Sequence, residues 1–317
     1  MPANILRYWY HQPSGEWRRP TGSIGEPVGN KLYIGAYHHT QTASGWMTLE
    51  GQIGQPLSMR RIYNPNGFSG TWSQFDTATR SHWYSFKGAL TTMRDGGFDS
   101  AMTTWLNSVP SAHVLYLSWQ HEPENPSKGN DPATFRAGAQ HFYTHVKSVR
   151  PQTIVAMPVY MSWTHNPSSG RDPLDWYPGN DYTDVIGVDT YNTYLWPMVG
   201  SPTVWDYVPL SGQTPKMVGL ENLVAFANAR SKPWAIGEVS SMEHASDSAA
   251  VRATTNSYKA RWITDLYEYS ALNGATAVLW FNVDKPNDTH PEMLIESSQG
   301  SLSAQANSTI QYGRSMP

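Results

Sequence analysis

Two glutamates follow apolar segments that lie far apart in the sequence. Residues 114–119 read Val-Leu-Tyr-Leu-Ser-Trp and lead through Gln120 and His121 to Glu122, and residues 233–237, Pro-Trp-Ala-Ile-Gly, run directly into Glu238. Short runs rich in β-branched and aromatic residues predict buried strands. Barrel enzymes of alternating strands and helices carry their catalytic groups at the carboxyl ends of such strands. Two carboxyl groups placed in this way could carry out glycoside hydrolysis.

A double displacement would give the two carboxyl groups different roles. We expect Glu122 to be the general acid, because Trp119 and other aromatic residues nearby could raise its pKa by desolvation. Glu238 is then the nucleophile, with its carboxyl group about 5–5.5 Å from that of Glu122, and Gly237 would let backbone or substrate approach closely. Glu124 is the alternative acid. It stands beyond the predicted strand end, so we expect it instead to cap a loop or bind an arginine.

The elements that must position these glutamates follow an alternating pattern. Eight apolar segments, at residues 31–37, 57–63, 82–86, 114–119, 153–157, 184–189, 233–238 and 276–281, are separated by helical patterns or loops. Alternating strands and helices are typical of a parallel sheet. Eight such strands predict closure into a (β/α)₈ TIM barrel. A final helix is expected after Met293.

The fourth helix has the clearest pattern in the chain. Asp131 could accept hydrogen bonds from the first free N–H groups, and Pro132 suits the first helical position. The apolar residues that follow recur at spacings of four and three: Phe135, Ala139, Phe142, Val146 and Val149. This spacing puts them on one helix face, which we expect to lie against the barrel.

Length and composition favour one large domain. The chain has 317 residues, no cysteine and a net charge of −3. We predict that residues 1–30 form a strap that packs on a single barrel domain at 31–317. The low charge gives no basic field for nucleic acid or anionic membranes. The chain also shows no apolar stretch long enough for a membrane span and no signal peptide.

Other site types fit less well. His121 and Glu122 are followed at position 125 by asparagine, so the two-histidine zinc motif of metalloproteases is missing. No serine nucleophile elbow and no phosphate-binding glycine loop occur. His38 and His39 could bind a metal, but adjacent histidines after a strand are more often hydrogen-bonded loop or subsite residues.

Four motifs in order resemble glycoside hydrolase family 26, a family of retaining (β/α)₈ enzymes that are mostly endo-β-1,4-mannanases. They are His121-Glu122 after the fourth strand, Asp189-x-Tyr191 after the sixth, Glu238 after the seventh and Trp280 on the eighth. The resemblance covers about residues 31–285. The chain departs from the family pattern in having Ser-Trp-Gln before His121 and Pro-Glu after Glu122.

The resemblance implies a role for each matching residue. Glu122 would be the acid/base and Glu238 the nucleophile, with Tyr191 hydrogen-bonded to that nucleophile and Asp189 facing the substrate beside it. His121 would contact the sugar in the −1 subsite. Trp280 would form the floor of the same subsite. Trp163, which no motif supports, is a candidate aromatic wall or a core residue.

We therefore predict a monomeric retaining endo-glycosidase that cleaves a β-linked polysaccharide, with β-1,4-mannan as the first candidate substrate. The reaction is expected to need no cofactor and no metal. The 14 tryptophans and 18 tyrosines suit a sugar-binding cleft. Two alternatives remain open: a phage or bacterial glycanase for cell-wall or capsular polysaccharide, and a non-catalytic carbohydrate-binding barrel. We expect an extracellular or phage-associated protein.

Overall fold

A closed barrel of eight parallel strands forms the body of the protein. The computed structural model describes residues 10–11, 17–18, 31–64, 67–68, 72, 80–192, 215–241, 249–283 and 294–314. Each strand pairs with the next along the chain, and the last pairs with the first. The predicted (β/α)₈ fold is therefore confirmed. The strands are β1 Tyr33–His38, β2 Met59–Asn64, β3 Ser81–Phe86, β4 Leu115–Trp119, β5 Ile154–Met161, β6 Val185–Asn192, β7 Trp234–Ser241 and β8 Ala275–Asn282.

The described residues form seven α-helices around the strands. They are α1 Ala43–Ile53, α2 Leu90–Arg94, α3 Asp99–Ser108, α4 Pro132–Val149, α5 Pro215–Ala229, α6 Ala249–Leu272 and α7 Gln299–Tyr312. The Asp131 side chain accepts a hydrogen bond from the Thr134 N–H at 2.7 Å and so caps α4 as predicted. The predicted apolar face of α4 is buried against the barrel at Phe135, Ala139, Phe142 and Val146.

Alternation along the strands divides the core into an inner and two outer parts. Successive side chains of a strand point to opposite faces. The inner cluster fills the barrel and includes Met59, Trp83, Tyr116 and Leu279, all buried. The two outer clusters lie between strands and helices. On β8, Ala277 and Leu279 belong to the inner cluster, whereas Val278 and Trp280 belong to an outer one.

Both ends of the chain bear on predictions about domains. Residues 10–11 pair antiparallel with residues 17–18, and the rest of the predicted strap 1–30 lies outside the described residues, so the strap stays a prediction. The expected C-terminal helix is present as α7, and its end is tied to the barrel where the Leu32 N–H donates to the Tyr312 carbonyl at 2.8 Å. In the described part of the chain, no helix has the length and apolarity to cross a membrane.

Candidate active site

The segment after β4 reaches the barrel mouth through an unusual backbone. Gln120 and Glu122 have φ of 52° and 50°, in the left-handed region that residues other than glycine rarely occupy. Hydrogen bonds from neighbouring strands hold them there: the Gln120 N–H donates to the Phe86 carbonyl at 2.9 Å and the Glu122 N–H to the Val159 carbonyl at 2.7 Å. Such conformations persist where surrounding contacts fix them, and they cluster at functional sites.

A bulge in β7 turns Glu238 into the barrel. The β6–β7 pairing runs Val188 to Ile236 and then Asp189 to Glu238, so Gly237 is the extra residue. Ile236 and Val239 pack outside the barrel, which leaves Gly237 and Glu238 inside. A Cβ on Gly237 would stand 3.0 Å from Asp189 Oδ1. A side chain at this position would therefore crowd Asp189, whereas the predicted close approach of backbone or substrate stays a prediction.

Glu238 lies between two of the predicted site residues. The Tyr191 hydroxyl donates a hydrogen bond to its Oε2, and His121 Nε2 lies 3.7 Å from its Oε1. Burial, followed by the positive charges of Lys128 and Arg61, lowers the pKa of His121 well below its usual value. The imidazole is therefore neutral beside the carboxylate. The side chain of Glu238 is only 9% exposed.

Glu122 has the properties of a proton donor. Burial raises the pKa of its carboxyl group, and the charge of Glu238 raises it further. Lys128 Nζ, 3.7 Å from Glu122 Oε2, and Asn125 Nδ2, which donates to the same oxygen at 3.2 Å, lower it in part. The predicted contribution of Trp119 is not observed, because that ring faces outward and stacks on Phe135 of α4 at 5.7 Å.

Asp189 is the most deeply buried carboxyl group of the site. It is 2% exposed, and neither of its oxygens has a hydrogen-bond partner among the described residues. Burial raises the pKa of Asp189 well above its usual value, and the charges of Glu238 and Glu122 add to the shift. Like charges this close favour one protonated member. Burial and the neighbouring carboxyl groups therefore favour the protonated form of Asp189.

Three of these side chains could also hold a cation. One ligand atom each from His121, Asp189 and Glu238 lies within 4.8 Å of the others. One imidazole and two carboxyl groups suit several divalent metals. Without a cation, a proton on Asp189 and the hydrogen bond from Tyr191 to Glu238 would compensate the negative charges of the two carboxyl groups.

Aromatic rings line the barrel beside Glu238. Phe281 stacks on Tyr37 at 5.2 Å and meets Tyr191 edge-on at 6.1 Å, and Tyr63 meets His121 at 5.5 Å. These residues lie near the carboxyl ends of β1, β2, β6 and β8, and their side chains point to the inner face of the barrel. They form an apolar collar of the kind on which the C–H faces of sugars pack.

Trp280 does not lie in this collar. It is fully buried on the outer face of β8 and packs edge-on against Trp262 of α6 at 6.2 Å. A strand reverses its facing with every residue, so the inward position is that of Phe281. The structure therefore does not bring Trp280, predicted as the floor of the −1 subsite, to the inner face of the barrel.

The other predicted aromatic wall lies on the loop after β5. Trp163 is half-buried in the 3-10 helix Ser162–His165, which packs beside α5. Its half-buried position fits both an aromatic wall of the cleft and a core residue, so the prediction for Trp163 stays a prediction. The segment that follows β6, which contains Tyr194, Trp196 and Trp205, lies outside the described residues.

Glu124 is engaged in a loop contact, as expected of it. It is 5% exposed, and its Oε1 accepts hydrogen bonds from the Met161 N–H and from Thr164 Oγ1, the latter at 2.8 Å. Burial raises its pKa to about 7. Glu124 therefore joins the loop after β4 to the end of β5, and Arg171 bonds to Thr164 rather than to this carboxyl group.

His38 and His39 stack at 4.5 Å, and His38 Nδ1 bonds to Thr40 Oγ1 at 2.9 Å. Of the two possibilities raised by the sequence, this contact favours a hydrogen-bonded loop. The pKa of His38 is lowered by burial and then by His39.

Two site residues were missed by the sequence analysis. Arg61 is buried inside the barrel, where its Nε donates to the Gly237 carbonyl at 3.1 Å and its guanidinium lies 4.1 Å from the Tyr63 ring. It supports the bulge that carries Glu238. Two consecutive arginines in an apolar strand were the available clue. Lys128, beside Glu122, had none, because its contact depends on the turn at Pro126–Lys128.

Comparisons with known proteins bear on the family and on the fold. Residues 142–267 match the model of glycosyl hydrolase family 26. No curated protein matches the chain significantly.

Several solved structures share the fold. GH26C from Muricauda sp. is 12% identical, with a TM-score of 0.58 over 90% of this chain and 86% of that one. The catalytic domain of a Bacillus sp. GH26 endo-β-1,4-mannanase is 12% identical, with a TM-score of 0.57 over 91% of this chain and 88% of that one. A structure of fungal β-1,4-galactanases is 11% identical, with a TM-score of 0.59 over 87% of this chain and 99% of that one. At such identity these similarities concern the fold. The family-model match, which spans less than half of the chain, and the barrel fold make the chain similar to the glycoside hydrolases of family 26.

Proposed function

We propose that the protein is a retaining endo-glycosidase in which Glu238 is the nucleophile and Glu122 the acid/base. The observation that carries this proposal is the contrast between the two carboxyl groups. Glu238 accepts a hydrogen bond from Tyr191 that holds it in place, whereas burial and the charge of Glu238 raise the pKa of Glu122. A carboxyl group whose pKa is raised in this way suits the role of the acid, and its partner that of the nucleophile.

The proposed reaction proceeds in two steps. Glu238 Oε1 attacks the anomeric carbon while Glu122 gives its proton to the leaving oxygen, and a covalent glycosyl-enzyme forms. Glu122, now ionised, then takes a proton from water, which attacks the same carbon from the leaving-group side; the bond from that carbon to Glu238 breaks and the Glu238 carboxylate is released. Tyr191 holds Glu238 through Oε2 and leaves Oε1 for the attack, on the side where His121 lies.

The collar supports a pyranose as the bound group. Phe281, stacked on Tyr37, would form the floor of the −1 subsite, and neutral His121 can exchange a hydrogen bond with a sugar hydroxyl. We favour β-1,4-mannan as the substrate because of the His121-Glu122 motif and the family match. The similarity to a galactanase fold makes β-1,4-galactan the next candidate. Secretion or phage association remains part of the proposal.

A reducing-end assay on a polysaccharide panel tests this function. The panel holds β-mannan, galactomannan, β-1,4-galactan, mixed-linkage β-glucan, peptidoglycan and capsular polysaccharide. We expect new reducing ends from the mannans, and none from the matched variant Glu238→Gln, which keeps the volume of the side chain. New reducing ends from peptidoglycan or capsular polysaccharide alone would support the alternative of a cell-wall or capsule glycanase. Binding without release from any polymer would refute an enzyme.

A further inference from the structure

A second cluster of metal-binding side chains lies between α3 and α4, outside the barrel. It consists of Asp99, His141 and His145, each with one ligand atom within 4.8 Å of the others. The hydrolytic machinery uses none of them. We propose that these residues bind a divalent transition metal, zinc in the first place, and that the ion joins the two helices.

The two histidines have the spacing of a helical metal site. His141 and His145 are one turn apart on α4, so both rings project from the same side of the helix. Their ring centroids are 6.2 Å apart and nearly parallel at 21°. Asp99, the first residue of α3, faces them from the neighbouring helix. Two imidazoles and one carboxylate form a common zinc ligand set when water fills the fourth position.

The distances within the cluster are close to those a metal requires. Asp99 Oδ1 lies 2.7 Å from His141 Nε2 and 3.6 Å from His145 Nδ1. The first is a hydrogen bond, but the second is too long for one. Ligands about 2.1 Å from a tetrahedral zinc are separated by roughly 3.4 Å. Small side-chain movements would therefore bring all three atoms around one ion.

A supporting residue fixes the ring of His145. Its far nitrogen, Nε2, is bonded to Thr103 Oγ1 of α3 at 3.0 Å, which leaves Nδ1 facing Asp99. Metal-bound histidines almost always have their second nitrogen held in this way. A lone hydrogen bond between Asp99 and His141 would need no such orientation of His145.

Glycine keeps the space beside the cluster open. Gly96 has φ of +78°, and a Cβ there would stand 3.0 Å from Asp99 Oδ2 and 3.5 Å from His141 Nε2. The three side chains are 36%, 32% and 16% exposed in the order Asp99, His141 and His145. An ion can therefore reach them from solvent, and a water can complete its coordination.

The test is calorimetric titration of the tag-free full chain with zinc chloride at pH 7.5, after removal of metals with a chelator. We expect one zinc per chain. His141→Ala/His145→Ala should bind at least about 100-fold more weakly, and Thr103→Val about tenfold more weakly. The matched control is Thr144→Ala/Ser148→Ala, an exposed pair with the same spacing on α4, which should bind zinc as the wild type does.

Thermal melts distinguish loss of binding from loss of fold. Zinc should raise the melting temperature of the wild type and the control but not that of the double-histidine variant, since a ligand stabilises only the state that binds it. Asp99→Asn, which keeps the volume of the side chain, serves if the double variant does not fold, and should also weaken binding. Equal zinc affinity in the wild type and these variants, or no binding by the wild type, would overturn the proposal.

Discussion

Replacing Lys128 with methionine should move the alkaline limb of the activity profile to higher pH. The Lys128 ammonium lies 3.7 Å from Glu122 Oε2 and lowers the pKa of that carboxyl group, against the upward shifts from burial and Glu238. Glu122 must hold a proton to act as the acid. Removing the ammonium raises the pKa of Glu122 further, so the protonated, active form persists to higher pH.

The size of the shift follows from the separation of the two charges. Unit charges about 4 Å apart interact by about 1 kcal/mol in water and about 4 kcal/mol at an effective dielectric constant of 20. Because one pKa unit corresponds to about 1.36 kcal/mol, these two energies place the shift in the pKa of Glu122 between roughly 0.7 and 3. The side chains are 20% and 19% exposed, so solvent screens them in part. We therefore expect a shift of about one unit.

The measurement is kcat/KM against pH for the polysaccharide that the panel identifies, with wild type, Lys128→Met and Lys87→Met. Lys87 also lowers the pKa of Glu122 but contributes less than Lys128 does, and its side chain is exposed. Its variant should shift the alkaline limb in the same direction by a smaller amount. An alkaline limb that stays in place in Lys128→Met, or moves to lower pH, would refute the assignment of that limb to Glu122.

Three further predictions concern the supports of the site. Gly237→Ala should lower kcat about 100-fold by displacing the bulge, whereas Gly51→Ala, which meets no atom within 4 Å, should leave kcat unchanged; equal kcat values would contradict this. In urea melts Trp280→Ala should lose about 3–5 kcal/mol of unfolding free energy, whereas Phe281→Ala should chiefly lower kcat/KM, and the reverse pattern would restore Trp280 as the floor. The pKa of Glu124 is raised to about 7 in the folded state, so its protonated form favours folding. Wild-type stability should therefore fall as pH rises from about 4.5 through 7, by up to about 3 kcal/mol, and Glu124→Gln should lack this fall; parallel curves would contradict it.

The fold was predictable because each barrel strand is a separate apolar segment with its own boundary signals. The cap of α4 at Asp131 and the end of β4 at Trp119, before Glu122, depend on local sequence and lie where the pattern predicts them. β7 instead continues to Ser241, past the strand end predicted at Glu238. The facing of individual side chains was less predictable. Parallel barrel strands are buried on both faces and therefore read as continuous apolar runs, so residues 276–281 do not show whether Trp280 or Phe281 points inward.

Features that depend on contacts between distant segments escaped the sequence analysis. The bulge at Gly237 is supported by Arg61, which is far away in the chain. The left-handed conformation of Glu122 is held by the Val159 carbonyl of the next strand. The raised pKa of Glu122 was expected, but its cause differs: burial and Glu238 produce it, and Trp119 faces away.

The division of roles between Glu122 and Glu238 is tested most directly by burst kinetics on an activated substrate. The substrate is the 2,4-dinitrophenyl glycoside of the sugar that the panel identifies, and the proteins are Glu122→Ala, Glu124→Ala and Glu238→Ala. A good leaving group needs no protonation, so Glu122→Ala should still form the glycosyl-enzyme, show a burst and turn over faster when azide is added. Glu238→Ala should show no burst. Burst and azide rescue in Glu124→Ala but not in Glu122→Ala would contradict the assignment of the acid.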